Sequence, residues 1–598
     1  MLLLLFVRAK SGVVLDPDRA CRASGQMGGD VGKPIKQITI VGGGTAGWMS
    51  ALLLMSLLKT GKGKGPKIKL IESPNIPTVG VGEATVPGMP RTLKTAGISE
   101  QEFFKTCNAS FKLGVLFNNW NVDKAGKPIS FVNPFARPPS IDGIDAASYF
   151  AKYGAGGVDF SQIFSPTIDL ARQFRGPRAL NSGEYAQGTG FAYHLDAGLF
   201  AKMLRDVCIK RGVEHIMEDM ERVELDERGY VAAVHLAKTG RHPVELVLDC
   251  TGFRGLIIGE ALGEEFISYS DYLANDRAMA VQLPHPDPEK LEPMTRSTAL
   301  GAGWTWRVPL YNRIGTGYVY SSAHRSDQQA MDEFKQSLGE LGKDAEPRVI
   351  PMRIGRNRNA WVKNCVSIGL ANGFIEPLES TAIHMIDTSI RWLVTYFPNS
   401  DFAEPPRARY NKLVTKAYEE VRDFICLHYV LGNRTDSPYW IDAREELAVP
   451  DSLAENIELW KHAMPGPYDL DFVSLFSPWT YQAVLMGKRV YETDYASDNF
   501  ESGIRFNPDK WKAFVTQARR QITQTVKTSA DHRTLLRKLR GDGELAPAAQ
   551  PWALMGGFSP GAGQATVQMP GQRAPAAARV DAPKAPPKPD ESDDFNLL

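Results

Sequence analysis

The sequence predicts an α/β fold, and three observations predict it. A short apolar, β-branched run at Gln37–Val41 leads straight into a glycine-rich turn and then a helical pattern over residues 46–58. A second strand-like run over residues 67–71 completes a strand–helix–strand unit of the kind that builds parallel sheets. Further on, β-rich stretches (230–236, 244–250, 315–322) alternate with helical ones (197–211, 381–396, 510–525).

The ends of the chain read differently from its middle. Residues 1–7 are apolar, but the run is far shorter than the ~20 residues a membrane helix needs. No charged segment precedes it, so the expectation is a disordered leader over residues 1–35, with Met27 an alternative start, and not a signal peptide. From residue 545 to 598 the chain turns to Ala, Pro, Gly and Gln, which cannot bury enough apolar surface to offset ordering entropy, so a disordered tail is expected. Between them lie an expected core over 36–395, with interleaved β-rich substrate elements, and a mainly helical substrate-side region over 396–544.

Composition excludes several classes. Sixty-nine Lys+Arg against 68 Asp+Glu leave a net charge of +1, and no basic run is interleaved with aromatics, so no nucleic-acid surface is expected. The six cysteines are scattered without a CxxC, and the ten histidines include no H-E-x-x-H, so no metal site is expected. Reduced thiols in a cytoplasmic protein, with no membrane partner, are the reading that follows.

The glycine turn carries the first chemistry. Gly42, Gly44 and Gly47 fill the G-x-G-x-x-G positions directly after a strand and at the opening of a helix. Glycines there allow a tight turn, close approach of a pyrophosphate and helix–strand packing, with the helix N-terminus facing the phosphates. Glu72 ends the second strand 25 positions after Gly47, placed to bind a ribose hydroxyl. Two later segments favour FAD over NAD. Leu248-Asp249-Cys250-Thr251-Gly252 is an apolar strand ending in Asp and Gly, and a strand over 365–369 runs into Leu370-Ala371-Asn372-Gly373, after which a helix is expected. The expected architecture is a Rossmann-type FAD-binding fold, similar to flavoprotein monooxygenases.

Four segments, in order, carry a more specific likeness: GGGTAGW at 42–48, VGVGEATVP at 79–87, WTWRVP at 304–309 and EPLEST at 376–381. Together they resemble the flavin-dependent tryptophan halogenase family, and the likeness runs from about Lys36 to Gly543. WTWRVP looks like that family's W-x-W-x-I-P signature, with Val308 in place of Ile. The resemblance implies that FAD, reduced by a separate flavin reductase, uses O2 and chloride or bromide to make hypohalous acid. The acid would pass through an internal tunnel to a lysine beside an electron-rich aromatic small molecule such as tryptophan, indole or an indole-containing compound. An FAD-dependent aromatic hydroxylase is the alternative, and self-association as a homodimer stays open.

Carried over residue by residue, the resemblance makes Lys112 the lysine and Glu379 the catalytic carboxylate, with Ser380 in support. A buried amine can hydrogen-bond hypohalous acid or form a haloamine, and burial lowers its pKa; most lysines instead snorkel from an apolar helix face. A carboxylate can orient the acid and deprotonate the arenium ion. The halide falls at Thr381 and Ala382, where a helix N-terminus offers free N–H groups. Further FAD contacts are Thr45, Ala46, Ser73, Ile76, Glu83, Met220, Leu370 and Ile383. By the same resemblance Trp304 and Trp306 would form a wall between flavin and substrate, although residues two apart on a strand share a face and are commonly core aromatics.

The chain departs from the family on the substrate side. Phe131-Val132-Asn133-Pro134-Phe135 matches the first aromatic region, but Asn133 stands where a histidine is expected. The later region, residues 475–487, keeps Phe476, Trp479 and Tyr481 but is shorter, and the residues that would bind an amino acid's charged groups are missing from the pattern. An aromatic pocket including Phe135 and Phe476 is therefore expected, with indole favoured over the zwitterion.

Overall fold

A parallel sheet forms the frame of the protein, in the order Glu214–Met217, Lys67–Glu72, Gln37–Val41, Leu246–Asp249, Cys365–Ser367, with Trp361–Val362 added antiparallel at the edge. The computed structural model describes residues 32–60, 65–76, 82–471, 474–492 and 506–542. The expected leader and tail, and residues 79–81 of the second motif, lie outside the described residues.

The alternation of strand side chains sorts this sheet into two faces. Ile38, Ile40, Ile68, Leu70, Leu246 and Leu248 face one apolar cluster, while Val41, Ile71 and Val247 face another. On the first side lies the helix Thr45–Leu57, buried continuously from Gly47 to Met55, which explains its apolar sequence on every side. It is wedged between the sheet and the helices Ala197–Lys210 and Ala382–Thr395. The second side is covered by the antiparallel strands Met220–Leu225, Val231–Leu236 and Gly240–Pro243.

A second, seven-stranded sheet carries Asn133, Trp304 and Trp306. Its order is Arg348–Pro351, Arg277–Leu283, Ile314–Tyr320, Gly303–Pro309, Thr295–Leu300, Gly114–Val122, Pro128–Pro134. Every pairing is antiparallel except that of Thr295–Leu300 with Gly114–Val122. A small sheet of Glu83–Ala84, Ala192–Leu195 and Ser110–Lys112 sits beside it. The last third is helical, opened by the 27-residue helix Glu404–Val430 with prolines in its first turn. Its final helices return to earlier parts of the chain: Phe111 donates its N–H to His532 Nε2 at 3.2 Å, and Arg533 Nη1 donates to Tyr311 O at 2.6 Å.

The helix expected over residues 381–396 is found at Ala382–Thr395. No helix follows directly after Gly373; a 3-10 turn at Gly369–Ala371, a two-residue strand Gly373–Phe374 and a second 3-10 turn at Pro377–Glu379 intervene before the helix Ala382–Thr395. Pro377 disfavours helix at Glu376, and Ser380 adopts a left-handed φ of 58°, which stops any helix from starting earlier.

Candidate active site

The first sheet delivers the glycine turn at the carboxyl ends of its strands. Gly42 has a φ of +117°, and a Cβ there would fall 2.1 Å from Cys250 O. A Cβ on Gly47 would fall 1.9 Å from Gly42 O, so both positions are closed to any larger residue. At Gly44, by contrast, nothing lies within 4 Å of where a Cβ would stand. The first and third glycines thus serve packing, while the second faces open space. Gly44 is also the N-cap of the helix that begins at Thr45 and Ala46, with no side chain capping it, which leaves the first-turn N–H groups free for an anion.

The other expected cofactor residues gather around this turn. Glu72 lies against Gly43 and receives His215 Nε2 at 3.0 Å. Ser73 Oγ donates to Asp219 Oδ1 at 2.5 Å and Asn75 Nδ2 to Asp219 Oδ2 at 2.6 Å, tying the loop of Ser73 and exposed Ile76 to the residue before Met220. A Cβ on Gly369 would meet Ala46 Cβ at 2.8 Å, which places Leu370 beside the same helix start; buried Ile383 lies on the helix packed against it. Glu83 stands apart, in the small sheet that holds Lys112, and burial raises its carboxyl above the usual range. A tight turn, an open second glycine, free helix N–H groups and a strand-end acid together fit the pyrophosphate and ribose of FAD.

Lys112 ends a strand, not a helix, and it does not snorkel: the residue is fully buried. Its Nζ donates to Ser380 Oγ at 2.9 Å and stands 5.4 Å from the centre of the Phe135 ring. Burial lowers its pKa to about 7, opposed in part by the charge of Glu379. His194, behind the same strand, contacts Ser110 Oγ at 3.2 Å and Thr295 Oγ1 at 2.9 Å, and burial together with the Lys112 charge pushes it well below its usual range.

Glu379 is buried in the 3-10 turn that Ser380 ends. Asn133 Nδ2 donates to both its oxygens, at 3.3 and 3.4 Å, so Asn133 joins the carboxylate. His428 Nε2 sits 3.1 Å from Glu379 Oε1. Thr381 caps the helix that starts at Ala382, both immediately after the Lys112–Ser380 contact, and the first-turn N–H groups there lack intrahelical acceptors.

Trp304 and Trp306 stand two apart on the strand Gly303–Pro309, ring centroids 6.4 Å apart. Trp304 is buried and donates Nε1–H to Glu376 Oε2 at 2.7 Å. The same oxygen accepts from Tyr429 OH at 2.7 Å and Asn275 Nδ2 at 2.9 Å. Trp306 lies over Gly317, where a Cβ would fall 2.1 Å from the indole.

Among the aromatic residues, Phe135 joins Lys112, whereas Phe476 lies further off. Phe476 packs on Phe424 at 4.2 Å, and Phe424 in turn meets His428 at 5.0 Å. Arg137 stacks on Trp479 at 5.3 Å. Sequence reasoning missed His428, Glu376 and Lys488. Glu376 was within reach, because it opens the EPLEST segment; His428 and Lys488 lie in helical sequence with no motif around them.

The family model for tryptophan halogenase matches residues 37–499. The tryptophan 6-halogenase of Streptomyces toxytricini is 38% identical over 474 residues, covering 75% of this chain and 89% of its own. The crystal structure of a tryptophan halogenase from Shewanella frigidimarina NCIMB 400 superposes with a TM-score of 0.79 at 33% identity, covering 85% of this chain and 98% of that one. A flavin-dependent halogenase from Brevundimonas sp. BAL3 gives a TM-score of 0.74 at 36% identity, over 84% of this chain and 99% of its own.

Proposed function

The chain belongs to the tryptophan halogenase family, and on that premise we propose that it halogenates an indole ring with hypohalous acid held at Lys112. It is a flavin-dependent halogenase, with FAD reduced by a separate flavin reductase and a halide as co-substrate. When bound and reduced, the flavin would supply the two electrons that bring O2 to the peroxide level, the oxidant that turns halide into hypohalous acid. The observation that carries the reading is a fully buried lysine hydrogen-bonded to Ser380, directly beside a buried glutamate.

The roles of the side chains follow from their positions. A lysine with a pKa near 7 is both a hydrogen-bond donor and a nucleophile at neutral pH, so Lys112 can hold hypohalous acid or take its halogen. Ser380 aims the amine, and Asn133 orients the Glu379 carboxylate that removes the ring proton. Thr381 and Ala382 offer N–H groups to the halide. Trp304, anchored on Glu376, and Trp306 form a wall that keeps the flavin side from the substrate and so disfavours direct hydroxylation.

The substrate reading is indole or a larger indolic compound, accepted at least as well as tryptophan. Asn133 is engaged with Glu379. Glu420, the carboxylate beside Phe476, accepts from Leu475 N at 2.8 Å, Phe476 N at 3.0 Å and Ser474 Oγ. Neither is free for an ammonium group, and an unmatched buried polar group costs about 1–3 kcal/mol, more if charged. A cytoplasmic location is supported by the five described cysteines, all free and buried.

The test is an incubation with FAD, a flavin reductase, NADH and bromide against an aromatic panel, read by mass. Halogenated indole is expected, with kcat/KM at least that for L-tryptophan. Oxygenated products would replace this reading with the hydroxylase, and a strong preference for tryptophan giving one benzo-ring isomer would overturn the substrate assignment.

A further inference from the structure

The side chain that faces Glu379 from the far side is a histidine with an unusual hydrogen-bond inventory. His428 is fully buried near the end of the helix Glu404–Val430. Its Nδ1 lies 2.8 Å from Phe424 O, and a carbonyl can only accept, so Nδ1 carries a proton. Its Nε2 is buried and makes no aligned hydrogen bond among the described residues; it stands 3.1 Å from Glu379 Oε1. A bare imidazole lone pair set against a carboxylate oxygen would repel it. The contact becomes attractive only when one proton lies between the two groups.

The surroundings hold the ring in that place. Phe117 and Phe424 meet the imidazole at 5.0 Å and Trp120 at 6.0 Å, so neither water nor another acceptor reaches it from those sides. Asn133 spans both oxygens of Glu379 from its own strand, at distances that orient without gripping tightly. The carboxylate is thus set between a neutral amide and an imidazole, with Lys112 reaching it beyond Ser380.

We propose that His428 is a positioning residue for Glu379, holding the carboxylate through a shared proton so that it stays an acceptor for the proton leaving the substrate ring. The inference rests on the role given to Glu379 above. The balance closes on residues already named. The ring's π pair forms the C–X bond as the O–X bond of hypohalous acid breaks, and the departing hydroxide takes a proton from the Lys112 ammonium to leave as water. The C–H pair returns to the ring and its proton goes to Glu379. The proton shared with His428 stays on Nε2, and Glu379 returns its new proton to Lys112. Without His428 the carboxylate would lose its fixed orientation and its charge partner, and removal of the ring proton would become slow.

The experiment compares wild type with His428→Gln and His428→Phe, using indole and ring-deuterated indole under identical FAD, flavin reductase, NADH and bromide supply. Wild type should show no C–H isotope effect on product formation, because attack on the ring limits the rate. In both variants FAD content and KM should hold, while kcat falls roughly 10²-fold, the low end of the range for a positioned base. An isotope effect should appear in both, larger in His428→Phe, because the glutamine amide still donates to Glu379. Asn133→Ala provides the second arm and should show a smaller effect of the same sign. Unchanged kcat in both His428 variants, a fall in kcat with no isotope effect, or an Asn133→Ala enzyme without one overturns the proposal. If wild type itself yields no halogenated arene, it is the reading of the function that fails.

Discussion

Lys112 Nζ donates to Ser380 Oγ at 2.9 Å, and the two residues come from a strand and a left-handed turn 268 positions apart. The contact puts the amine next to Glu379 without pairing it directly to the carboxylate, so Glu379 remains open to a proton. Lys112→Ala should bind FAD normally and still consume O2, yet form no halogenated arene and release hypohalous acid to a scavenger. Retention of more than a small fraction of product would remove Lys112 from the chemistry. Glu379→Gln should slow product formation by ~10²–10⁴-fold.

The glycine turn allows two roles to be separated. Gly47→Ala forces a methyl to within 1.9 Å of Gly42 O, so the variant should lose stability as well as flavin. Gly44→Ala places its methyl in open space, so its thermal midpoint without FAD should match wild type while FAD affinity drops. Equal flavin affinity in Gly44→Ala and wild type would mean that this space is not the pyrophosphate site.

Lys488 is a second fully buried amine. Burial lowers its pKa to about 7, its Nζ donates to Asn121 Oδ1 at 2.6 Å, and the rings of Trp120 and Phe131 lie 5.6 and 5.8 Å away. Its folded pKa lies below the unfolded value, so between about 7 and 10.5 the unfolded chain binds more protons and wild-type stability gains with rising pH. Lys488→Met lacks this gain. Relative to the variant, wild type should gain about 1.4 kcal/mol per pH unit between pH 7.5 and 9.5, measured by denaturant unfolding. Parallel pH profiles would show that the amine is not buried in solution.

His532 works on the acid side. Nδ1 meets Leu291 O at 2.9 Å while Nε2 accepts Phe111 N–H, and burial lowers its pKa from 6.5 to about 4. A depressed histidine contributes stability that is complete above pH 6.5 and is lost as pH falls toward 4, up to about 3 kcal/mol. His194, His285 and His384 are shifted the same way and steepen the loss. His532→Asn should flatten the acid limb without abolishing it, read as the denaturant midpoint between pH 7 and 4.5. An unchanged acid limb would place the protonation elsewhere.

Much of this protein was legible in the sequence because its signals are local. Short apolar runs over residues 37–41 and 67–71 marked the first two strands. Gly42 and Gly47 marked a turn closed to any larger residue, and the resemblance named Lys112, Glu379, Trp304 and Trp306. The helix over residues 381–396 was legible as well, but the left-handed backbone of Ser380 just before it, which no propensity signals, was not. Asn133 was visible as a departure from the family, but its amide contact with Glu379 was not, since that contact joins residues 246 positions apart. His428 and Lys488 gave no signal at all. Their burial follows from how the long helix Glu404–Val430 and the helix Pro478–Gly487 close over the Gly114–Val122 and Pro128–Pro134 strands. Periodicity records which face of an element is apolar, whereas only the packed tertiary structure decides which polar group on another element is sealed against it, and so which proton is shared.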